Sequence, residues 1–90
     1  MLDIYYAKKF KKEYKLMLKR NVDINDFKYV VNELRNQRPL AEKYRDHELM
    51  GKYKGFRECH INPDWLLIYR IEYDELILVL ARTGTHSDLF

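Results

Sequence analysis

Three extended apolar segments in the second half of the chain constrain the fold more than any other feature. They cover residues 56–61, 65–73 and 76–81 and are joined by short links at Asn62-Pro63 and Asp74-Glu75. Links of hairpin length join antiparallel neighbours, so the segments predict a β-meander. The second and third segments lack polar alternation, which indicates strands that are covered on both faces.

Two amphipathic segments precede the meander. The first runs from about residue 7 to residue 20, and its apolar positions follow helical spacing, with lysines on the opposite side: Phe10, Tyr14, Met17 and Leu18. The second runs from about residue 24 to residue 37, with Asp23 as its N-cap and Pro39 closing it. Both segments are predicted to be helices that need a partner surface for their apolar stripes.

These elements predict an α+β fold in which two N-terminal helices pack on one face of a twisted antiparallel sheet of about four strands. Residues 46–49 supply a short strand before the meander, and residues 2–5 carry only a weak strand signal. The chain has 90 residues without repeats or linkers, so residues 1–90 are expected to form one domain. The uncovered sheet face is where we expect a ligand.

Composition and terminal sequence exclude several classes of protein. No window holds 18 consecutive apolar residues, so no transmembrane helix is expected. The N-terminal residues lack the pattern of a secretory signal. The single cysteine, Cys59, rules out an internal disulfide and a cysteine-rich zinc cluster. A cytoplasmic location without membrane contact is therefore expected.

Positive charge is concentrated at the start of the chain. Residues 1–20 contain seven basic and two acidic residues, a local net charge of +5 in a chain whose net charge is +3. This asymmetry favours a polyanion or an acidic partner near the first helix. A solvated lysine-rich helix face is the alternative explanation.

Three histidines are the main candidates for chemistry: His47, His60 and His86. Asp64 follows His60 across a turn, and a nearby carboxylate can hold the tautomer of an imidazole ring. Because histidine titrates near neutrality, a pair can supply one base and one acid. Cleavage of a phosphodiester through the ribose 2′-hydroxyl needs such a pair, together with cations for the developing charge. Candidate cations, which could also be ordinary surface charges, are Lys52, Lys54, Arg57 and Arg82.

The sequence also bears on metal binding, base stacking and core packing by these residues and their neighbours. The histidines lack the short spacing of zinc ligands, so no metal site is expected. Trp65 and Phe90 each neighbour a titratable group and could stack on a splayed base, although core packing is equally open for Trp65. Cys59 points away from His60 in a strand and is predicted to be a core residue.

Three sequence blocks resemble the YafQ-like branch of the RelE/ParE toxin superfamily. They run from Asp46 to Gly51, from Gly55 to Tyr69 and from Arg82 to Phe90, and the similarity extends over nearly the whole chain. Members of that branch are toxins of type II toxin–antitoxin systems. The resemblance implies a RelE/ParE-like fold, and a metal-independent, cofactor-free endoribonuclease that cuts mRNA in the ribosomal A site. It also implies a cognate antitoxin that neutralises the toxin.

The resemblance further implies roles for individual residues. The acid–base and phosphate-stabilising set would be His47, His60, Asp64 and His86. Trp65 and Phe90 would shape the site or stack on a base, and Arg82 would contact phosphate. The working assignment has His47 as the base and His86 as the acid for the leaving group.

Two other functions remain open from the sequence. The first is a non-enzymatic toxin of the ParE branch, which shares the architecture but poisons DNA gyrase. The second is a nucleic-acid-binding regulator without chemistry. The presence of three histidines with Asp64 favours cleavage, because gyrase poisoning needs no acid–base set.

Overall fold

The computed structural model describes all 90 residues and contains one five-stranded sheet, in the order β1-β5-β4-β3-β2. The strands are β1 (Asp3–Tyr6), β2 (His47–Glu48), β3 (Arg57–Asn62), β4 (Trp65–Glu72) and β5 (Ile77–Gly84). The helices are α1 (Lys8–Lys19), α2 (Ile24–Arg35) and α3 (His86–Leu89), with 3-10 turns at Glu42–Tyr44 and Gly51–Tyr53. The predicted order of two helices followed by an antiparallel meander is confirmed. None of the helices is both long and apolar enough to cross a membrane.

The sheet differs from the prediction at its first edge. β1 pairs in parallel with β5, with Asp3 opposite Ile77 and Tyr6 opposite Leu80, so the sheet is mixed and has a fifth strand. Four residues carry little strand signal of their own. Their backbone N–H and C=O groups form hydrogen bonds with β5, a strand near the other end of the chain. A pattern within residues 2–5 cannot predict such a distant partner.

The second helix begins as predicted and ends earlier. The Asp23 side chain accepts a hydrogen bond from the Asn25 N–H at 2.9 Å, as an N-cap does. Gln37 has a φ of 54°, in the left-handed region, and its N–H donates to the Leu34 carbonyl at 3.0 Å. The helix therefore ends at Arg35 through this left-handed turn, before Pro39 is reached.

Alternation along β4 divides the core into two clusters. Trp65, Leu67 and Tyr69 belong to the larger cluster, which includes the buried side chains of α1 and α2. Leu66 and Ile68 point the other way and pack with Leu89 of α3. We call these two sides of the sheet the helix face and the α3 face. The α3 face is covered only in part, by α3 and the turn at Gly51–Tyr53, and it carries the candidate site.

Candidate functional site

One row of paired residues crosses the α3 face. His47 of β2 lies opposite Glu58 of β3, which lies opposite Ile68 of β4, which lies opposite Arg82 of β5. Paired residues of antiparallel strands point to the same side of the sheet, and Ile68 packs against α3. The row therefore places polar side chains from three separate strands on the α3 face.

A second row carries His60. This residue lies opposite Leu66, which lies opposite Gly84, and the row is two residues, or about 7 Å, along the strands from the first. His86 follows Gly84 closely and begins α3, whose Leu89 packs on Leu66. All three histidines thus lie on the side of the sheet away from α1 and α2, and neither His47 nor His86 is buried.

The hydrogen bond of His47 determines which ring nitrogen is free. Nδ1 lies 2.6 Å from the carbonyl oxygen of Arg45, and a carbonyl only accepts, so Nδ1 must carry a hydrogen. Nε2 is therefore the nitrogen available for proton transfer. It lies 3.6 Å from Oε1 of Glu58, and half of the His47 side chain is exposed to solvent.

Glu58 is a member of the site that the sequence interpretation missed. Its side chain is only 8% exposed, and its Oε2 is buried without a hydrogen-bond partner. Buried polar atoms without a hydrogen-bond partner are rare, and a place in a functional site is one explanation for this carboxylate oxygen. The signal was present in the sequence, because Glu58 stands two residues before His60 in a strand and must share its face.

Arg82 is held by two groups that sequence reasoning also missed. Its guanidinium donates to both carboxylate oxygens of Glu13 in α1 and to the Tyr53 hydroxyl at 2.7 Å. These hydrogen bonds, with Glu13 contributing most, raise the pKa of Arg82 above its ordinary value. Arg82 is thus a fixed cation, but a phosphate must compete with Glu13 for it. Glu13 is 69 positions away from Arg82, and no local pattern links the two.

Aromatic side chains border the histidines at the C-terminal end. The Phe90 ring centroid lies 5.2 Å from that of His86 and 6.2 Å from that of Tyr53. Phe90 is 56% exposed, so one surface of its ring is open to a ligand. Lys52 Nζ lies 5.7 Å from the Tyr53 centroid, and Lys52 and Lys54 are both exposed. Phe90 and the two lysines therefore remain predicted substrate contacts.

Trp65 is not a surface for stacking a base, and that prediction is wrong. The residue is fully buried on the helix face, its ring stacks on Phe27 at 5.7 Å, and its Nε1–H donates to Thr83 Oγ1 at 2.7 Å. Cys59 lies in the same cluster and is also fully buried, as predicted. Burial raises the pKa of the Cys59 thiol, which removes it from nucleophilic chemistry.

Arg57 also lies on the wrong face for the predicted role. Its guanidinium donates to Asp46 at 3.3 Å and lies 3.6 Å from a carboxylate oxygen of Glu48. Asp46 also accepts a hydrogen bond from the hydroxyl of Tyr69, a residue of the helix face, at 2.5 Å. Arg57 therefore connects the loop before β2 to the core and is not one of the cations around the histidines.

Asp64 lies at the turn between β3 and β4, next to the end of the sheet that carries His60. The Asp64 backbone N–H donates to Asn62 Oδ1 at 2.9 Å, and the residue is exposed. No side-chain hydrogen bond joins Asp64 to a histidine. In the protein alone, Asp64 therefore contributes only a negative charge beside the site; the predicted role with the histidines requires that the substrate contact both.

The helix that carries His86 is fixed by Asp88. The Thr85 hydroxyl accepts from the Asp88 N–H at 3.2 Å, and Asp88 Oδ2 accepts from the Thr85 N–H at 2.9 Å, which forms a capping box. Arg20 at the end of α1 pairs with Asp88 Oδ2 at 2.6 Å. A side chain at Gly84 would lie 3.0 Å from the Asp88 Cβ, so this close approach requires glycine.

The Asp88 contacts predict a pH-dependent contribution to stability. The hydrogen bond from Arg20, followed by those from Thr85, holds the pKa of Asp88 far below its ordinary value of 3.8. A lowered pKa in the folded state stabilises the fold above pH 3.8, and this contribution is lost as pH falls further. We expect Asp88→Asn to be less stable than the parent protein at pH 7, with a difference that shrinks below pH 3.8. Urea unfolding of both proteins across this range tests it; a constant difference would contradict it.

The structure places no ready-made metal site here. No group of three or more His, Cys, Asp or Glu side chains lies close enough together to hold a metal ion. The α3 face carries imidazole nitrogens, a buried carboxylate and a fixed guanidinium. Together these groups can transfer protons next to a bound anion.

Comparison with known proteins identifies the class to which this fold and site belong. A family profile described as "Bacterial toxin of type II toxin-antitoxin system, YafQ" matches residues 2–90. The mRNA interferase toxin YafQ of Escherichia coli strain K12 is 44% identical over 89 residues, which cover 98% of this chain and 95% of the relative. A metal-bound toxin from Helicobacter pylori superposes with a TM-score of 0.93, at 48% identity and full coverage of both chains.

A third similar structure is that of a complex. The E. coli DinJ-YafQ complex contains a chain that superposes with a TM-score of 0.87, at 43% identity, covering 100% of this chain and 99% of that one. Fold and comparisons together define a small α+β toxin. The chain belongs to the YafQ family of toxins from type II toxin–antitoxin systems.

Proposed function

We propose that this chain is an mRNA interferase, an endoribonuclease that cleaves mRNA on the ribosome by histidine acid–base catalysis. The observation that carries the proposal is the placement of three histidines, from three separate segments, on the one sheet face that α1 and α2 leave uncovered. The name of the E. coli relative, mRNA interferase toxin YafQ, supports the same activity.

The reaction assigns a task to each group. His47 takes the proton of the ribose 2′-hydroxyl through Nε2, and the 2′-oxygen forms a bond to phosphorus. His86 donates a proton to the departing 5′-oxygen as its bond to phosphorus breaks, which leaves a 2′,3′-cyclic phosphate. His60 and Asp64 stabilise or orient the reacting groups, and Arg82 faces the charge that develops on the phosphate. The Arg45 carbonyl orients the His47 ring through Nδ1, and Glu58 stabilises the imidazolium that forms once Nε2 has taken the proton.

The proposed partners follow from this activity. The toxin binds the ribosome and mRNA in the cytoplasm, and all 90 residues act as one domain. A cognate antitoxin neutralises it, as the DinJ-YafQ complex suggests for the E. coli relative.

The test is in vitro cleavage of a defined mRNA followed by primer extension. Purified toxin, ribosomes and mRNA should give discrete cuts at codon boundaries in the reading frame, and mRNA without ribosomes serves as the control. A ParE-like poison would instead produce gyrase-dependent DNA breaks and leave the mRNA intact. That second result would reject the proposed function.

Independence from metal is a separate prediction. Toxin that is treated with EDTA and then freed of the chelator should cleave ribosome-bound mRNA at the untreated rate, because imidazoles supply both proton transfers. Removing EDTA before the ribosomes are added keeps their magnesium in place. Activity that disappears after this treatment, and returns only with added zinc or copper, would contradict metal independence.

A further inference from the structure

A pocket of about 440 Å³ opens at the edge of the sheet beside β2, beyond the first row of site residues. Its lining comes from β2 and the residues after it, from the start of β3 and from the end of β4, and includes Lys54, Phe56, Arg57 and Arg70. Its volume lies in the range of small-molecule sites in proteins. None of the residues to which the mechanism assigns a task lines the pocket, so the proposed reaction does not account for it.

The pocket combines an aromatic surface with cations. The guanidinium carbon of Arg70 lies 5.0 Å from the centroid of the Phe56 ring, and Lys54, which also lines the pocket, is exposed. Tyr73 is 67% exposed although it is a large aromatic side chain. Aromatic rings and guanidinium planes are the groups on which proteins stack unpaired bases, and nearby cations hold the phosphates.

The acidic residues near the pocket do not close it to an anion. Glu72 pairs with Arg70 at 2.7 Å, but both side chains are more than 40% exposed, and such surface pairs are weak. Glu48 also lines the pocket, with its carboxylate 3.6 Å from Arg57. A phosphate can therefore compete for Arg70 and has Lys54 as a second cation.

Position links the pocket to the histidine rows. Phe56 precedes Glu58 by two residues and packs with the small cluster of the α3 face, so the two side chains share that face about 7 Å apart along the strand direction. One nucleotide of an extended single strand can span this distance. A strand whose reacting phosphate lies beside His47 would thus place a neighbouring nucleotide at the pocket.

We propose that this pocket binds a nucleotide of single-stranded RNA that flanks the cleaved bond. Its base stacks on the layer formed by Phe56 and Arg70, and its phosphate pairs with Lys54. The inference rests on the proposed function, since it names the part of the substrate that the same face would hold. The sequence preference of cleavage would then depend in part on this pocket.

Binding of a short 2′-O-methyl oligoribonucleotide tests the proposal without cleavage, because this RNA has no 2′-hydroxyl to attack. Fluorescence anisotropy at fixed salt should show Arg70→Gln and Phe56→Leu each weakening binding by about tenfold, the loss expected for one stacked base. Lys28→Gln, which removes an exposed charge from α2 on the other side of the sheet, is the matched control and should change little. Amide signals of Lys54 and Gly55 should shift on titration of the parent protein.

Parental affinity in both variants would overturn the pocket proposal. If those variants also escaped neutralisation by the antitoxin, the pocket would belong to a protein partner instead. Failure of the proposed function looks different: the parent protein would bind the oligonucleotide through the pocket but would not cut ribosome-bound mRNA.

Discussion

Replacing His86 by glutamine should lower the rate of mRNA cleavage on the ribosome by about 10²–10⁴-fold, the usual contribution of a general acid or base. Glutamine keeps the size and polarity of the side chain, and α3 remains anchored by Leu89, the capping box and Arg20. If His86 protonates the leaving oxygen, the remaining activity should also lose the alkaline limb of its pH–rate profile. Single-turnover primer extension across pH gives both readings.

Ser87→Ala is the matched control for this variant. Ser87 is the next residue of α3, is exposed and is assigned no task in the reaction, so its variant should cleave at the parental rate. Equal losses in both variants would mean that any disturbance of α3 inactivates the toxin. Parental activity in the His86 variant would remove the histidine from the mechanism.

Replacing Trp65 by alanine should lower the free energy of unfolding by about 3–5 kcal/mol, the cost of removing a buried aromatic side chain. The indole is fully buried, stacks on Phe27 and donates to Thr83, so its loss leaves a cavity and an unused partner. Chemical denaturation of the variant and its parent measures this change.

Phe90→Ala is the paired experiment, because both aromatic residues were predicted from the sequence to serve the substrate. Phe90 is 56% exposed beside His86, so its loss should change stability by no more than about 0.5 kcal/mol while it slows cleavage. A stable Trp65→Ala protein with impaired cleavage would restore the indole as a substrate contact. An unaltered cleavage rate for Phe90→Ala would remove the phenylalanine from the site.

The alternation of side chains along β3 and β4 shows what a local sequence pattern can and cannot predict in this protein. Alternation in β3 places Cys59 away from His60, and the structure confirms it. The same alternation places Glu58 beside His60, a consequence that the sequence interpretation did not draw. Alternation along a strand tells which side chains share a face of the sheet, but it does not tell which face the helices cover. The sequence therefore predicts both Arg57 and Trp65 as site residues, although both point to the helix face, where Trp65 is buried and Arg57 pairs with Asp46.

Local sequence patterns were enough to predict the two amphipathic helices, the N-cap at Asp23 and the hairpin order of the last three strands. Each follows from residues that are close together in the chain, through side-chain periodicity and turn chemistry. The parallel pairing of β1, the ion pair between Glu13 and Arg82 and the position of the three histidines on one face emerge only from the folded chain. These depend on contacts between residues far apart in sequence, whose free energy exists only once the whole sheet has formed.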